Sequence, residues 1–307
     1  MLTNELRYFF AVATSGSLST ASEQLFVAGS AISRQIQKLE ARLGVTLFER
    51  HARGMVLTDA GQILANHVRK SMRDMEFALA EIQGLKAVRK ALVRIACTDG
   101  MAFDLLPGVL ARFRQQHPGV NFDLQVGTAL QVAQWIRHNE CDVAFQFSLA
   151  PEREVEIIAA WPAPVLLLLD AGHPLTQQAS VTLDALHHYP LVLPEAGTTI
   201  RQLFDLSCRM AGTFLEPAFS SNNFSALYEF TRHTAQAITV CSHFSVLWRA
   251  RHDAMTLKAI NNTSLSQRTL QIQVPGSRHR PAAVDTFLQM ATQMLGEEHS
   301  KWMAQLA

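Results

Sequence analysis

Hydrophobic residues recur every three or four positions in three successive runs near the amino terminus. This is the spacing of one apolar face of an α-helix, and Thr3 or Asn4 stands where a cap for the first run is expected. A polar break at residues 15–17 and a turn at residues 26–29 separate the runs. The pattern predicts three short helices, whose apolar faces are Leu6, Phe9, Phe10, Ala13; Leu18, Ala21, Leu25; and Ile32, Ile36, Leu39, Leu43.

The third predicted helix carries a polar row on the side opposite its apolar face, and Gly44 is placed to end it. The row consists of hydrogen-bond donors and cations, which suit the edges of bases and the oxygens of phosphates. We therefore expect this face to contact nucleic acid. The residues of the row are Ser30, Ser33, Arg34, Gln37 and Lys38.

The segment after the third helix predicts a basic β-hairpin. Residues 48–57 alternate around Gly54, with Arg50 and Arg53 close to the turn. In helix-turn-helix proteins the second helix of the pair enters the major groove, while a basic wing lies along the backbone or the minor groove. Residues 1–58 are thus predicted to be a DNA-binding domain, with Arg50 and Arg53 as wing contacts.

Short segments in this region follow one another in a recognisable order without a gap: residues 6–13, 16–18, 31–36, 39–40, 43–45, 47–50 and 57–61. Together they resemble the amino-terminal signature of LysR-type transcriptional regulators. The resemblance implies a winged helix-turn-helix that binds duplex operator DNA and activates or represses transcription. RNA polymerase is then a further candidate partner.

The chain departs from that signature at the start of the recognition helix. Many LysR-type regulators have Ser-Gln-Pro or Ser-Gln-Ser at this point, whereas this chain has Ala28-Gly29-Ser30. The change removes a common N-cap and a common base-reading glutamine. The operator sequence therefore does not carry over from relatives.

A long helix is predicted next, from about residue 59 to residue 88, with Thr58 as its cap. Its apolar positions alternate steps of three and four, which is a heptad seam suited to a partner helix. We expect residues 59–90 to form a linker that dimerises; the alternative is a helix packed on its own domain. The resemblance adds a dimer of dimers, so the expected state is a homodimer or a homotetramer. The seam residues are Ala65, Val68, Met72, Met75, Leu79 and Ile82.

Beyond residue 90, strand patterns alternate with helix patterns, which implies parallel sheets with helices on their faces. The resemblance adds two Rossmann-like subdomains, like a small periplasmic binding protein, with crossings near Pro162 and Gln267. The predicted fold class is α+β in two parts: an all-α winged helix-turn-helix with a long linker helix, and an α/β effector domain. The effector domain spans 91–307, with subdomain I at 91–162 and 267–300 and subdomain II at 163–266. Its predicted helices are 101–116, 129–139, 201–210, 224–233 and 281–295, and its predicted strands are 93–97, 120–126, 143–147, 165–169, 190–193, 238–240 and 270–274.

Polar residues recur at the predicted carboxyl ends of these strands, where open α/β folds bind ligands. Hydroxyls and amides there suit a small polar effector, although each threonine alone is equally explained as a cap or turn residue. Many LysR-type regulators that sense carboxylates have a basic residue where this chain has Gln146, and Asp99 adds an acid, which disfavours a strongly anionic effector. The predicted effector-site residues are Thr98, Asp99, Gly100, Thr128, Gln146, Thr198, Thr199 and Asn222.

The charge distribution agrees with a DNA-binding amino-terminal part. The 307 residues carry a net charge of only +1. Residues 1–90 hold 12 Lys and Arg against 8 Asp and Glu, or +4, while residues 91–307 hold 15 against 18, or −3. A hydrophobic content of 48% supports two or three folded domains.

Other functional classes receive little support from the sequence. Catalytic and nucleotide-binding motifs are absent, so we expect no enzyme activity, cofactor or metal. Neither a signal peptide nor an apolar run of membrane-spanning length occurs, which predicts a cytoplasmic protein without a membrane partner. One alternative is a cytoplasmic relative of solute-binding proteins, but it leaves the basic row and wing unexplained. A DNA-shift experiment separates the two.

The four cysteines, Cys97, Cys141, Cys208 and Cys241, are widely spaced and form no metal-binding pattern. Buried free thiols are the simplest interpretation. The alternative is a redox-sensing regulator acting through Cys208, because the peroxide-sensing branch of the resembled family uses two cysteines nine residues apart. Here Thr199 stands nine residues before Cys208, so the pair is missing.

Overall fold

Helix α1 begins, and helix α3 ends, at the residues that the predicted caps indicate. The Thr3 hydroxyl accepts a hydrogen bond from the Leu6 amide at 3.5 Å, and Gly16 and Gly44 take the left-handed conformation after α1 and α3. A computed structural model gives these bounds: α1 is Asn4–Ser15, α2 is Leu18–Leu25 and α3 is Gly29–Leu43. The structure describes residues 3–51, 54–84, 91–150, 155–276 and 280–306.

The hairpin and the long helix follow as predicted. Strands β1, Phe48–His51, and β2, Gly54–Leu57, pair antiparallel. Helix α4, Asp59–Gly84, starts at a Thr58 hydroxyl that accepts from the Gly61 amide at 3.0 Å. Residues 85–88 of the predicted linker helix lie outside the described residues.

The core of this part joins the apolar faces of α1, α3 and the first turns of α4. Within it, Phe9 packs on Phe48 with ring centroids 5.3 Å apart, and Ile32 and Leu39 of α3 are fully buried. Leu43, expected on the same face, is about half exposed because it lies in the last turn, beyond the core. The chain divides into two units, residues 1–89 and 90–307.

The second unit is built on two sheets. In the first, the described strands are ordered β4-β3-β5-β12-β6; β3, β4 and β5 run parallel, and β12 runs antiparallel to β5 and β6. Their bounds are β3 Ala91–Thr98, β4 Val120–Gly127, β5 Val143–Ser148, β6 Val155–Pro162 and β12 Thr269–Pro275.

The second sheet has its described strands in the order β11-β7-β10-β8-β9, with β7 antiparallel to both β10 and β11 and with β8 parallel to β9 and β10. The chain thus passes from the first sheet to the second after β6 and returns before β12. The bounds are β7 Leu166–Asp170, β8 Leu191–Pro194, β9 Phe219–Ser221, β10 Ile238–Cys241 and β11 Met255–Ala259.

Helices connect these strands and cover the sheets. Each sheet has its own apolar cluster, one centred on Val93, Phe145 and Phe287 and the other on Leu167, Phe204 and Val240. The helices are α5 Asp99–Ala102, α6 Leu105–Gln116, α7 Ala129–Arg137, α8 Thr199–Met210, α9 Phe224–His233, α10 Arg249–His252 and α11 Ala282–Leu306.

Both sheets are mixed, so the expectation of parallel sheets is wrong in part. Only six residues separate β5 from β6, too few for a crossover helix, and β12 enters the first sheet from the second in the opposite direction. The predicted helix 101–116 is broken because the Asp104 carboxylate accepts the backbone amides of Trp248 and Arg249 at 2.7 and 3.1 Å. Strands β6, β9 and β11 were not predicted.

Candidate nucleic-acid interface and ligand cleft

The predicted polar row of α3 faces outward as one continuous strip. Ser30, Arg34, Gln37 and Lys38 are exposed and Ser33 is half-buried, while the opposite face of the helix is buried in the core. The row is free to contact a partner because the core uses only the other face.

The first turn of α3 lacks a side-chain cap. The N-cap is Ala28, whose side chain makes no capping hydrogen bond, in agreement with the departure noted in the sequence. An uncapped helix N-terminus presents amide groups and a partial positive charge, which bind phosphate oxygens well. Ser30 lies in this turn.

The hairpin is held against the helices in a fixed orientation. The Met55 amide donates to the Gly16 carbonyl at 2.8 Å, and a Cβ on Gly54 would stand only 2.5 Å from that same oxygen. Arg50 Nη2 donates to Ser33 Oγ at 3.3 Å, which joins the hairpin to the polar row. Arg53 lies outside the described residues.

The seam of α4 divides into a buried and an exposed part. Val68 is fully buried in the amino-terminal core, as is Ala65, so the prediction that Val68 contacts a partner helix is wrong in this structure. Further along, Met72, Met75 and Leu79 are 37%, 41% and 49% exposed. The side chain of Ile82 lies outside the described residues.

In the second unit, a cavity of about 560 Å³ lies among the strand ends of the two sheets. Polar groups and apolar side chains such as Val126, Leu130 and Phe147 share its wall. Most predicted effector residues line it: Thr98, Asp99, Gly100, Thr128, Thr198, Thr199 and Asn222.

The threonines of the cavity differ in what their hydroxyls do. Thr128 forms a capping box with Gln131, accepting from its amide at 3.3 Å, and Thr198 accepts from the Arg201 amide at 3.3 Å. Both hydroxyls are thus engaged as helix caps. In contrast, the buried Thr98 hydroxyl has no hydrogen-bond partner among the described residues.

Asp99 links the two sheets across the cavity. Its carboxylate, just after β3, accepts a short hydrogen bond from the Phe224 amide at the start of α9. Burial raises the pKa of this carboxyl group, and the Phe224 hydrogen bond partly offsets that effect. The next residue, Gly100, packs closely against Ser245, since a Cβ at position 100 would lie 2.9 Å from Ser245 Oγ.

Gln146 does not line the cavity, so its prediction as an effector contact is wrong. Successive side chains of a strand point to opposite faces. Phe147 is the β5 residue in the cavity wall, whereas Gln146 is buried and donates to Gln273 Oε1 at 3.2 Å.

Arg268, which the sequence pattern did not predict as a site residue, is buried in the wall of the cavity. Its Nε donates to the Ala163 carbonyl at 3.1 Å, and its guanidinium carbon lies 4.3 Å from the centroid of the Phe147 ring. The sequence offered one signal for it: Arg268 directly follows Gln267, near which the family resemblance places the return of the chain to the first subdomain.

Comparison with protein families decides the identity of both units. Residues 3–62 match the bacterial regulatory helix-turn-helix protein of the lysR family, and residues 86–296 match the LysR substrate binding domain. The chain belongs to the LysR family. It is a transcriptional regulator with a DNA-binding helix-turn-helix and an effector-binding domain, and its relatives are regulators rather than enzymes.

Individual LysR-family relatives cover most of the chain. The uncharacterized HTH-type transcriptional regulator YvbU of Bacillus subtilis is 25% identical over 299 residues, covering 97% of this chain and all of that protein. The transcriptional dual regulator GltC of Bacillus subtilis is 33% identical over 210 residues, covering 68% of this chain and 70% of GltC. The helix-turn-helix match leaves no ground for the solute-binding alternative, which assigned the first domain no role.

Solved structures of LysR-type proteins share the fold. Full-length CbnR in complex with its target DNA has a TM-score of 0.61 at 20% identity, covering 95% of this chain and 99% of CbnR. A full-length OxyR variant from Pseudomonas aeruginosa has a TM-score of 0.69 at 20% identity, covering 95% of this chain and 94% of OxyR. Among the described residues, no helix is both long and apolar enough to cross a membrane.

The redox alternative finds no support in the surroundings of Cys208. Burial, with the nearby Asp205 carboxylate, raises the pKa of its thiol to about 11, whereas a sensor cysteine needs a stabilised thiolate. The other cysteines of this LysR-family chain are also free and buried. Thr199 lines the cavity at the position where a second cysteine would be needed.

Proposed function

We propose that α3 reads operator bases with Ser33, Arg34 and Gln37, while phosphates are held by Ser30, Lys38 and the wing arginines Arg50 and Arg53. The single observation that carries this proposal is the exposed polar row opposite a fully buried face. The Arg50–Ser33 hydrogen bond supports it further, since it holds a backbone-binding wing next to a base-reading helix.

The proposed active form is a homodimer, or a homotetramer built from two dimers, joined through α4. Met72, Met75 and Leu79 continue the same stripe as the buried Ala65 and Val68 but lie beyond the domain core, where they are exposed. A second copy of α4 is the natural partner, because a heptad stripe is complementary to an identical stripe. A DNA-bound dimer also matches paired operator half-sites.

The proposed regulatory input is a small molecule bound in the cavity of the second unit. Thr98, Asp99, Gly100, Thr199 and Asn222 line it without any catalytic grouping, which supports sensing rather than chemistry. As a regulator of transcription, the protein would act in the cytoplasm, where the DNA and RNA polymerase are.

A gel-shift experiment with fragmented genomic DNA tests the DNA-reading proposal. The full-length protein should retard a small subset of fragments in the presence of excess nonspecific competitor. The Ser33→Ala/Gln37→Ala double variant should lose that subset, whereas Gln115→Ala, an exposed glutamine on α6, should retain it. Retention of the subset by the double variant would place base reading elsewhere.

A further inference from the structure

Arg268 is fixed where the chain returns from the second sheet to the first. Its carbonyl accepts from the Ala163 amide at 2.9 Å, and its own Nε donates to the Ala163 carbonyl at 3.1 Å. Ala163 directly follows β6, where the chain leaves the first sheet. These two hydrogen bonds hold the arginine between both connecting segments, at the wall of the cavity.

The charge of Arg268 is buried without a counter-ion. Only 2% of the residue is exposed, its Nη2 has no hydrogen-bond partner, and no carboxylate among the described residues forms an ion pair with it. Burial lowers the pKa of the guanidinium to about 9. Arginine is rarely buried unless it is paired, because removal from water is costly. The chain therefore maintains a buried positive charge that it does not neutralise itself.

Helices α7, α8 and α9 begin at the wall of the same cavity. Their first residues, Ala129, Thr199 and Phe224, all line it. A helix N-terminus carries a partial positive charge of about one half. The helix ends therefore add to the positive potential that Arg268 provides.

The carboxylates of the cavity do not cancel this potential at the arginine. Asp99 is bound to the amide at the start of α9, and Glu195 is exposed at the edge of the cavity. Neither forms an ion pair with Arg268. Asp99 is thus engaged by the start of α9 and Glu195 by solvent, and neither neutralises Arg268.

The size and lining of the cavity set the class of ligand. Its volume of about 560 Å³ falls in the range of small-molecule sites, and apolar side chains such as Val126, Leu130 and Leu227 share the wall. The cavity therefore fits a molecule of metabolite size with a partly apolar body and one charged end that lies at Arg268.

We propose that Arg268 is the counter-ion of a small organic oxyanion, carrying a carboxylate or a phosphate group, which is the effector of this cavity. The inference rests on the proposed role of the cavity as the effector site. It reverses the sequence expectation against an anionic effector, which considered Gln146 and Asp99 but not Arg268. Arginine suits this role because its planar fork matches both oxyanions.

Thermal unfolding of the full-length protein tests this inference. Acetate, succinate and inorganic phosphate are compared with sodium chloride at equal ionic strength, and with acetamide and succinamide as uncharged counterparts. At least one oxyanion should raise the Tm of the wild type more than its control does. A response to the carboxylates identifies one source of the oxyanion, and a response to phosphate alone identifies the other.

The variant Arg268→Met should lose this response, with at least tenfold weaker oxyanion binding in isothermal titration. Its Tm without ligand is measured alongside, so that a lost response is distinguished from a lost fold. Arg112→Met, an exposed arginine on α6, should respond like the wild type. If Arg268→Met fails to fold, Arg268→Lys, which keeps the charge without the fork, should show intermediate binding.

Equal responses of wild type and Arg268→Met, or no response to any of the three anions beyond salt, would overturn the inference. Stabilisation by the amides but not by the anions would also overturn it, yet would leave the cavity as the effector site.

Discussion

At the scale of single residues, substitutions of Arg50 and Gln37 should distinguish DNA affinity from sequence specificity. Arg50→Ala should weaken binding to all duplexes alike, because a phosphate contact carries no sequence information. The slope of log K against log salt should fall by about 0.9 for the lost contact. Gln37→Ala should instead change sequence preference with little change in slope. Anisotropy titrations at several salt concentrations check this, and an unchanged slope in Arg50→Ala would remove the wing from the interface.

The threonines of the cavity give a second residue-scale prediction. Thr128→Val should lower the free energy of unfolding by about 1 kcal/mol, because it removes a capping box. Thr98→Val should leave stability unchanged or raise it, since its buried hydroxyl has no partner to lose. Urea unfolding of both variants measures the difference. Destabilisation by Thr98→Val of similar size would mean that its hydroxyl supports the fold rather than awaiting a ligand.

Some residue assignments lay beyond the reach of the sequence. The polar row of α3 could be predicted because one helix with one buried face determines which side chains are exposed. The orientation of Gln146 could not be predicted in the same way. Successive side chains of a strand point to opposite faces, so the prediction requires the register of β5. Arg268 was missed because its burial arises from contacts with Ala163 and Phe147, more than a hundred positions away in sequence.

At the scale of elements, the missing cap of α3 predicts a stabilising change. Ala28→Ser places a hydroxyl at the N-cap, which contributes about 1 kcal/mol. Hydrogen exchange of the α3 amides should slow by about fivefold where exchange follows opening of this helix. Ala41→Ser, at an exposed interior position of α3, should not slow exchange. No change in Ala28→Ser would mean that the first turn of α3 is already satisfied.

Helix α4 carries the prediction on assembly. Leu79→Glu places a charge in the proposed seam and should cost several kcal/mol of association if the seam is buried in the dimer. Sedimentation velocity should then show monomers. Ile63→Glu, an exposed apolar position of α4 outside the seam, should remain dimeric. An intact dimer in Leu79→Glu would move dimerisation to the second unit.

The elements with strong periodicity were the predictable ones. Helices α1 to α4 and the hairpin could be predicted because apolar spacing and caps are local signals, only a few residues apart in sequence. Strands β6, β9 and β11 lie at the edges of their sheets, and most of their residues are half-buried or exposed, so their structure depends on pairing with distant strands. The antiparallel entry of β12 is likewise a property of topology, which a local pattern does not record.

At the scale of the whole molecule, the DNA-binding row and the cavity belong to different units of the chain. An effector can therefore change DNA binding only through a coupling free energy between two sites. Variants of the cavity should alter the response to effector while leaving DNA affinity without effector near that of the wild type.

The most direct test of the account is the specificity of the full-length protein for a selected duplex. After selection from a random library, we expect the enriched duplex to bind about 10³-fold or more tightly than unrelated DNA at physiological salt. The Ser33→Ala/Gln37→Ala variant should have a lower ratio of specific to nonspecific affinity, whereas Gln115→Ala should keep the wild-type ratio. Failure to enrich any sequence, or a ratio unchanged in the double variant, would contradict the claim that α3 reads the operator.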